Sequence, residues 1–384
     1  MTSGTTDTAG ASEAGAVATG AVEPYILNIG PQHPSTHGVF RLRVAMDGER
    51  IVDMDMIVGY LHRSMEKLAE ERTYTQNIPF TDRADYLAAM SSNLGLCLAA
   101  ERLAGVEVPG RATVLRVIFA ELQRIASHAM GNGTLVSDAG AWQTPLLYMF
   151  RERERILDLF EMACGARLTT NYMRIGGVAF DPPPEFFPKL ESLLDDLPAR
   201  VDEYSDLLAD NEIFLARTRD VGVISAADAI NGSLTGPQLR GSGVPWDLRK
   251  AEPYCDYDRY DFEIPVGRQG DVYDRFMVRM EEVRQSTRII RQALEALPGG
   301  PHKTEVPLAL RPEPGEVYGR VEGPRGEVGF YLVSDGGPAP YRFHLRAPSL
   351  INLSLLRSLA VGASLPDAVV TLGSLDIVVG EIDR

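Results

Sequence analysis

The sequence predicts an α+β protein: a central helical bundle with a small antiparallel β subdomain at the N-terminal end and another at the C-terminal end. Three observations predict it. Apolar and polar residues alternate from Val39 to Val58, apolar residues recur at i, i+4 and i+7 through the middle of the chain, and strand-like runs return at Gly326–Asp335 and Pro340–Ala347. A chain of 384 residues that is 45% hydrophobic and 24% charged can bury a sizeable core.

Taken in order, residues 1–23 are rich in Thr, Ala, Gly and Ser and contain no Lys or Arg. They lack the basic start and apolar run of a secretory signal, so a disordered tail is expected. The N-terminal β subdomain is expected over residues 24–60. It opens with a strand at Tyr25–Ile29 and the loop Gly30–Gly38. In the strand Val39–Met46, Phe40, Leu42, Val44 and Met46 share one face, and Asp47-Gly48 supplies a hairpin turn. The strand Ile51–Val58 follows, with Val52, Met54, Met56 and Val58 opposite Asp53 and Asp55.

A helical core is expected over residues 61–298. It begins with a short helix at Ser64–Glu71, after which Asp82 is read as the N-cap of a helix Arg83–Ala104 ending at Gly105. Arg111–Met130 carries Val114, Ile118, Leu122, Ile125 and Ala129 on one stripe. Pro145 fits the first turn of a helix ending at Cys164, and Glu185–Ala209 and Val272–Leu297 are two further long helices. Residues 220–270, with many Gly, Pro and Tyr, read as irregular. Residues 299–384 form the expected C-terminal α/β subdomain: a loop at Gly299–Pro314, the two strands named above, then short helices and a tail. No internal repeat is visible.

Charge and cysteine usage exclude several functions. A net charge of −15 argues against nucleic acid, because phosphate binding needs clustered Lys and Arg. It also disfavours docking on an anionic lipid surface. No stretch approaches the roughly 20 consecutive apolar residues of a membrane-spanning helix, so any membrane contact must run through partners. Cys97, Cys164 and Cys255 are far apart and contain no CxxC, which fits a reducing cytoplasm and neither a disulfide framework nor a metal cluster.

Gly30–Gly38 (GPQHPSTHG) is the most informative stretch. His33 and His37 stand four apart, as metal ligands on a helix would. Pro34 and Gly38 oppose a helix there, so both imidazoles belong on a rigid turn. As residues alone they read first as hydrogen-bonded loop histidines.

GPQHPSTHG followed by GYLHRSMEKLAEERTYTQN and FTDRADYLAAM resembles the D-type subunit of the NADH–quinone oxidoreductases, respiratory complex I. The match continues through LRVIFAELQRIASH, RERERILDLFEMACGAR, NYMRIGGV, LTGPQLRGSGVPWDLRKAEPY and RGEVGFYLVSDGG, and ends at SLDIVVGEIDR. It spans Tyr25 to Arg384. The resemblance implies a fold like that of the nickel–iron hydrogenase large subunit, to which the family is related. The paired cysteines that would hold nickel and iron are missing, which leaves no metal site and a cavity reused for quinone.

Carried over residue by residue, the resemblance puts the quinone headgroup contacts on His37 and Tyr86, counts His33 of the same loop among the quinone-binding residues, and pairs Asp138 with His37. Quinone reduction takes two electrons and two protons, and a phenol and an imidazole can donate to the two carbonyl oxygens. A carboxylate beside His37 favours its imidazolium. Arg63 and Arg83 correspond to arginines beside the terminal [4Fe–4S] cluster of the neighbouring subunit, where a guanidinium stabilises the reduced cluster. No cofactor is held by this chain itself. The implied partners are the cluster-bearing B-type subunit, the C-type subunit and the H-type subunit of the membrane arm, at the cytoplasmic face of the cell membrane.

Three departures qualify the resemblance. Thr169 and Ile57 stand where the family often has histidine, and a helical insert is absent between Leu297 and Val317. They motivate an alternative reading: a structural subunit of a divergent complex I-like assembly that lacks the NADH-oxidising module.

Overall fold

The computed structural model of the chain describes residues 24–140 and 143–384; the tail expected over residues 1–23 lies outside them. Strand β1 (Tyr25–Ile29) leads into a tight loop in which β2 (Gln32–His33) pairs with β3 (Gly38–Val39). The hairpin of β4 (Arg41–Asp47) and β5 (Arg50–Ile57) completes an antiparallel sheet of order β1-β4-β5. Phe40, Leu42, Val44 and Met46 are buried, as their alternation predicts.

The second strand differs from the prediction. A register shift sets Met46 opposite Ile51 and Ala45 opposite Asp53, so Val52 is an extra residue in the ladder. Met54 is buried opposite Val44, as predicted, while the bulge puts Ile51 rather than Val52 inward and leaves Val52 42% exposed. Val58, just past the strand, is 39% exposed.

The long helix predicted at Arg83–Ala104 is two helices. After α1 (Met65–Glu70) come α2 (Tyr74–Ala84) and α3 (Ala89–Ala104), with a break at residues 85–88. The true helix start is a capping box, in which Thr73 accepts from the Gln76 backbone and Gln76 accepts in return from the Thr73 N–H. Asp82 is therefore no cap. It lies inside α2, buried.

Helix α4 (Gly110–Gly140) runs well beyond the predicted end at Met130. Gly131 lies within the extension, and its missing side chain is what lets Asp376 approach: a Cβ there would lie 2.7 Å from Asp376 Oδ1. The extension carries Thr134, Ser137 and Asp138. Helix α5 (Gln143–Cys164), a short ladder of β6 (Met173–Arg174) and β7 (Gly177–Val178), and α6 (Phe186–Leu208) follow. Short helices α7 (Glu212–Thr218), α8 (Ala226–Asn231), α9 (Pro237–Gly241) and α10 (Leu248–Ala251) punctuate the irregular region before α11 (Val272–Glu295).

The C-terminal sheet has three strands, not two. The missed strand β8 (Gly315–Gly323) pairs with β9 (Gly326–Ser334), which pairs with β10 (Arg342–Arg346). The chain closes through α12 (Pro348–Ser354), α13 (Leu356–Ala360), α14 (Leu365–Leu375) and α15 (Val379–Ile382). What read as a tail is buried: Ile377, Val378, Val379 and Ile382 are each at most 5% exposed.

Two apolar clusters hold these elements. The larger joins α2–α6, α11 and the C-terminal sheet; the smaller joins the N-terminal sheet to α13–α15. Each fully buried Leu or Phe contributes about 1.5–3 kcal/mol to them.

Between the bundle and the C-terminal sheet lies a buried set of charges. Arg124 donates to Glu121 and to the carbonyls of Glu322 and Gly323. Arg249 donates to Glu121 and Asp247, and Arg240 to Glu282 and Glu322. His128 Nε2 lies 2.7 Å from Glu282, and the Tyr257 and Ser286 hydroxyls each donate to Glu121 at 2.6 Å. Ions removed from water persist where partners replace the lost hydration.

Candidate functional site

The His37 loop owes its shape to local polar contacts. The buried Thr36 hydroxyl lies 2.7 Å from the His33 carbonyl and 2.8 Å from that of Gly38. The Ser35 N–H donates to His33 Nδ1, capping a 3-10 turn at Pro34–Thr36. His37 then takes a left-handed conformation, φ 53°. Its Nε2 lies 2.5 Å from Asp138 Oδ2, although the two residues are 101 positions apart in sequence.

Asp138 comes from the extended end of α4. Met130, Thr134, Ser137 and Asp138, at i, i+4, i+7 and i+8, put one helix face onto a cavity of about 340 Å³. Gly373 on α14 underlies the ion pair: a Cβ there would lie 2.7 Å from Asp138 Oδ2 and 3.4 Å from His37 Nε2.

Tyr86 reaches the same cavity from the break between α2 and α3. Asp85 makes that break, since its Oδ1 accepts the N–H groups of Leu87 and Ala88, both at 3.1 Å, and presents Tyr86 outward. Burial raises the Tyr86 phenol above its ordinary pKa, against the opposing pull of Arg325. His37, Asp138 and Tyr86 thus line one chamber, with Leu146 and Val378 as apolar walls.

A second cavity, about 590 Å³, adjoins the first through Tyr86, which lines both. Arg63 and Arg83 lie on it with Phe80, Leu68 and Asp383. Arg83 is largely exposed, donates to the Pro79 carbonyl at 2.8 Å and sits 3.6 Å from Asp82. Burial pushes the Asp82 carboxyl up to about 6, although it accepts the Asn171 N–H. His33, expected among the quinone-binding residues, lines neither cavity. It is exposed, and its ring serves the turn.

Sequence reasoning missed the acidic residues behind the chamber. Asp376 lines it directly. Arg325 joins Asp376 Oδ1, 3.5 Å away, to Asp85 Oδ2 at 2.7 Å, and Glu381 stands nearby on α15. The only hint was the pairing of acids with apolar residues in SLDIVVGEIDR. Among the described residues no group of three or more His, Cys, Asp or Glu side chains is arranged to hold a metal ion. None of the described helices is long and apolar enough to cross a membrane.

The family model described as "Respiratory-chain NADH dehydrogenase, 49 Kd subunit" matches residues 138–313 and 306–384. The D-type NADH-quinone oxidoreductase subunit of Dehalococcoides mccartyi strain 195 is 57% identical over 362 residues, 94% of this chain and 99% of that protein. The chain belongs to this family. A D-type subunit of Roseiflexus sp. strain RS-1 is 56% identical, over 93% of this chain and 98% of its own length. The corresponding protein of Clostridium beijerinckii is 51% identical, over 94% and 98%. As a complex I subunit, the chain has other subunits of that complex as partners.

Proposed function

We propose that this chain forms the quinone-reducing chamber of an NADH–quinone oxidoreductase. The observation that carries the reading is the meeting of His37, Asp138 and Tyr86 on one cavity, drawn from three separate elements. Its volume of about 340 Å³ lies at the lower end of the range that ligand pockets occupy. A quinone ring between the Tyr86 hydroxyl and the His37 imidazole meets one donor at each carbonyl oxygen. Asp138 orients the imidazole and stabilises its charged form, and both groups release a proton as the quinone oxygens gain negative charge.

Electrons come from NADH, or from another donor, by way of a [4Fe–4S] cluster held by the neighbouring B-type subunit. That cluster sits against the cavity carrying Arg63 and Arg83, whose positive charge favours its reduced form. The C-type and H-type subunits complete the surroundings, at the cytoplasmic face of the cell membrane, and quinone reduction drives proton translocation in the membrane arm. The shared wall at Tyr86 supports this order, because it puts the phenol between the arginine-lined cavity and the chamber.

The test is Tyr86→Phe in the assembled complex. Quinone reductase activity is expected to fall about 100-fold while assembly survives, the scale of losing a positioned acid. Full activity in that variant would overturn the reading and favour a purely structural subunit.

A further inference from the structure

We propose that the buried carboxylates Asp85, Asp376 and Glu381, gathered around Arg325, store an exchangeable proton behind the chamber and return it to Tyr86 after each quinone is reduced, with Glu381 as the storing group. This rests on the quinone-chamber reading above.

The geometry begins with unmet hydrogen-bonding capacity. Glu381 Oε1 accepts the Ser349 N–H at 2.9 Å, while Glu381 Oε2 is buried without a partner. Asp376 has the same asymmetry: Oδ1 faces Arg325 at 3.5 Å, and Oδ2 is buried and unpartnered in a residue that lines the chamber. A carboxylate in such a place lacks the donors that would replace water, whereas a protonated carboxyl needs fewer. The cluster also flanks Tyr86. Asp85 is its chain neighbour, and α15 packs against it at Gly380, where a Cβ would lie 3.5 Å from the Tyr86 ring.

Charge counting points the same way. Fully ionised, the three carboxylates face one guanidinium, Arg325. The other buried cation nearby is Arg279 on α11, which donates to the Ser374 carbonyl and whose charged form is disfavoured by burial. Even with Arg279 charged, the group carries an excess negative charge unless one carboxyl keeps its proton. Burial, and then the Asp85 charge, push Glu381 up to about 8; burial also raises Asp85. The remaining groups facing the cluster are Ser349 and Asn352 on α12, Tyr86, and the His37–Asp138 pair across the chamber.

Two electrons reach the quinone from the neighbour's iron–sulfur cluster. One proton leaves the His37 imidazolium and one leaves Tyr86 Oη, and two O–H bonds form on the quinol. The Tyr86 phenolate then takes up a proton relayed through Asp376: an O–H bond breaks at Glu381 and one forms at Tyr86 Oη. A phenolate is a far stronger base than a carboxylate, so the transfer is downhill. Solvent reprotonates Glu381 and the His37 imidazole only once the quinol has left, so the quinol-bound state holds Glu381 ionised.

The experiment compares redox-induced infrared difference spectra and pH–rate profiles of the assembled complex, using a short-chain benzoquinone as substrate. In the wild type, quinone reduction is expected to bleach the C=O stretch of a protonated carboxylic acid, a band that shifts in D2O. Glu381→Gln is expected to remove that band, slow turnover about tenfold and abolish the alkaline fall in rate near pH 8. Glu381→Asp is expected to recover part of both. A wild-type spectrum without such a band overturns the proposal, whether or not the variant assembles. So does a Glu381→Gln complex that keeps the wild-type band and pH profile. If Tyr86→Phe is slow but Glu381→Gln is not, only the proton store falls; if Tyr86→Phe is fully active, the chamber reading falls with it.

Discussion

Two groups of buried charges, both reached by side chains of α11, are built on opposite terms. In the group between the bundle and the C-terminal sheet, every carboxylate oxygen of Glu121, Asp247, Glu282 and Glu322 has a hydrogen-bond partner. In the group behind the chamber, Asp376 Oδ2 and Glu381 Oε2 have none. Satisfied ions fix a fold, whereas unsatisfied ones can change protonation at small structural cost. The contrast separates carboxylates fixed on both oxygens from carboxylates with one buried oxygen left unpartnered.

The contrast breaks most directly at Arg249. Arg249→Ala strips Glu121 and Asp247 of their shared partner, so a loss of about 3–5 kcal/mol is expected in denaturant unfolding of the full-length chain. A loss below about 1 kcal/mol would place the inner group on the same footing as the chamber group. Next in size is Gly373→Ala, which drives a methyl into the His37–Asp138 pair. It is expected to cost about 1–3 kcal/mol by overpacking and to lower quinone turnover, read by a steady-state assay.

Asp82→Asn sharpens the comparison through pH. Burial raises the Asp82 carboxyl from 3.8 to about 6, so folding disfavours its ionised form. The stability it contributes is complete below 3.8 and is lost as pH rises through about 6. The variant should lack this slope and gain roughly 2 kcal/mol over the wild type at about pH 8, measured as unfolding midpoints across pH. Smallest is Asp376→Asn, with a stability change within about 1 kcal/mol because its orphan oxygen has no bond to lose. Turnover in that variant should still fall.

Much of this fold was legible in the residues, and the misses have physical causes. The N-terminal hairpin followed from alternation, but one extra residue, Val52, put Ile51 inward in its place, and no period-2 count reveals a bulge. The start of α2 was encoded in Thr73 and Gln76, yet Asp82 sat more conspicuously before an apolar run. Strand β8 was hidden because its inward positions include Gly319, Val321 and Glu322, and a buried glutamate reads as a surface residue. Of the chamber, His37, Tyr86 and Asp138 were reachable only through resemblance to the family. Their convergence depends on α4 continuing past Gly131, which a lone helix would not favour. Asp85, Arg325, Asp376 and Glu381 are ordinary surface residue types, and only tertiary packing makes them interior.

The ion pair that defines the chamber rests on Gly373, and its walls include Asp376 and Val378, although His37 and Tyr86 belong to the first quarter of the chain. A ribosome must therefore deliver most of the polypeptide before the chamber can close. Until then, the loop at Gly30–Gly38 lacks its floor, and a nascent or truncated chain has no closed chamber.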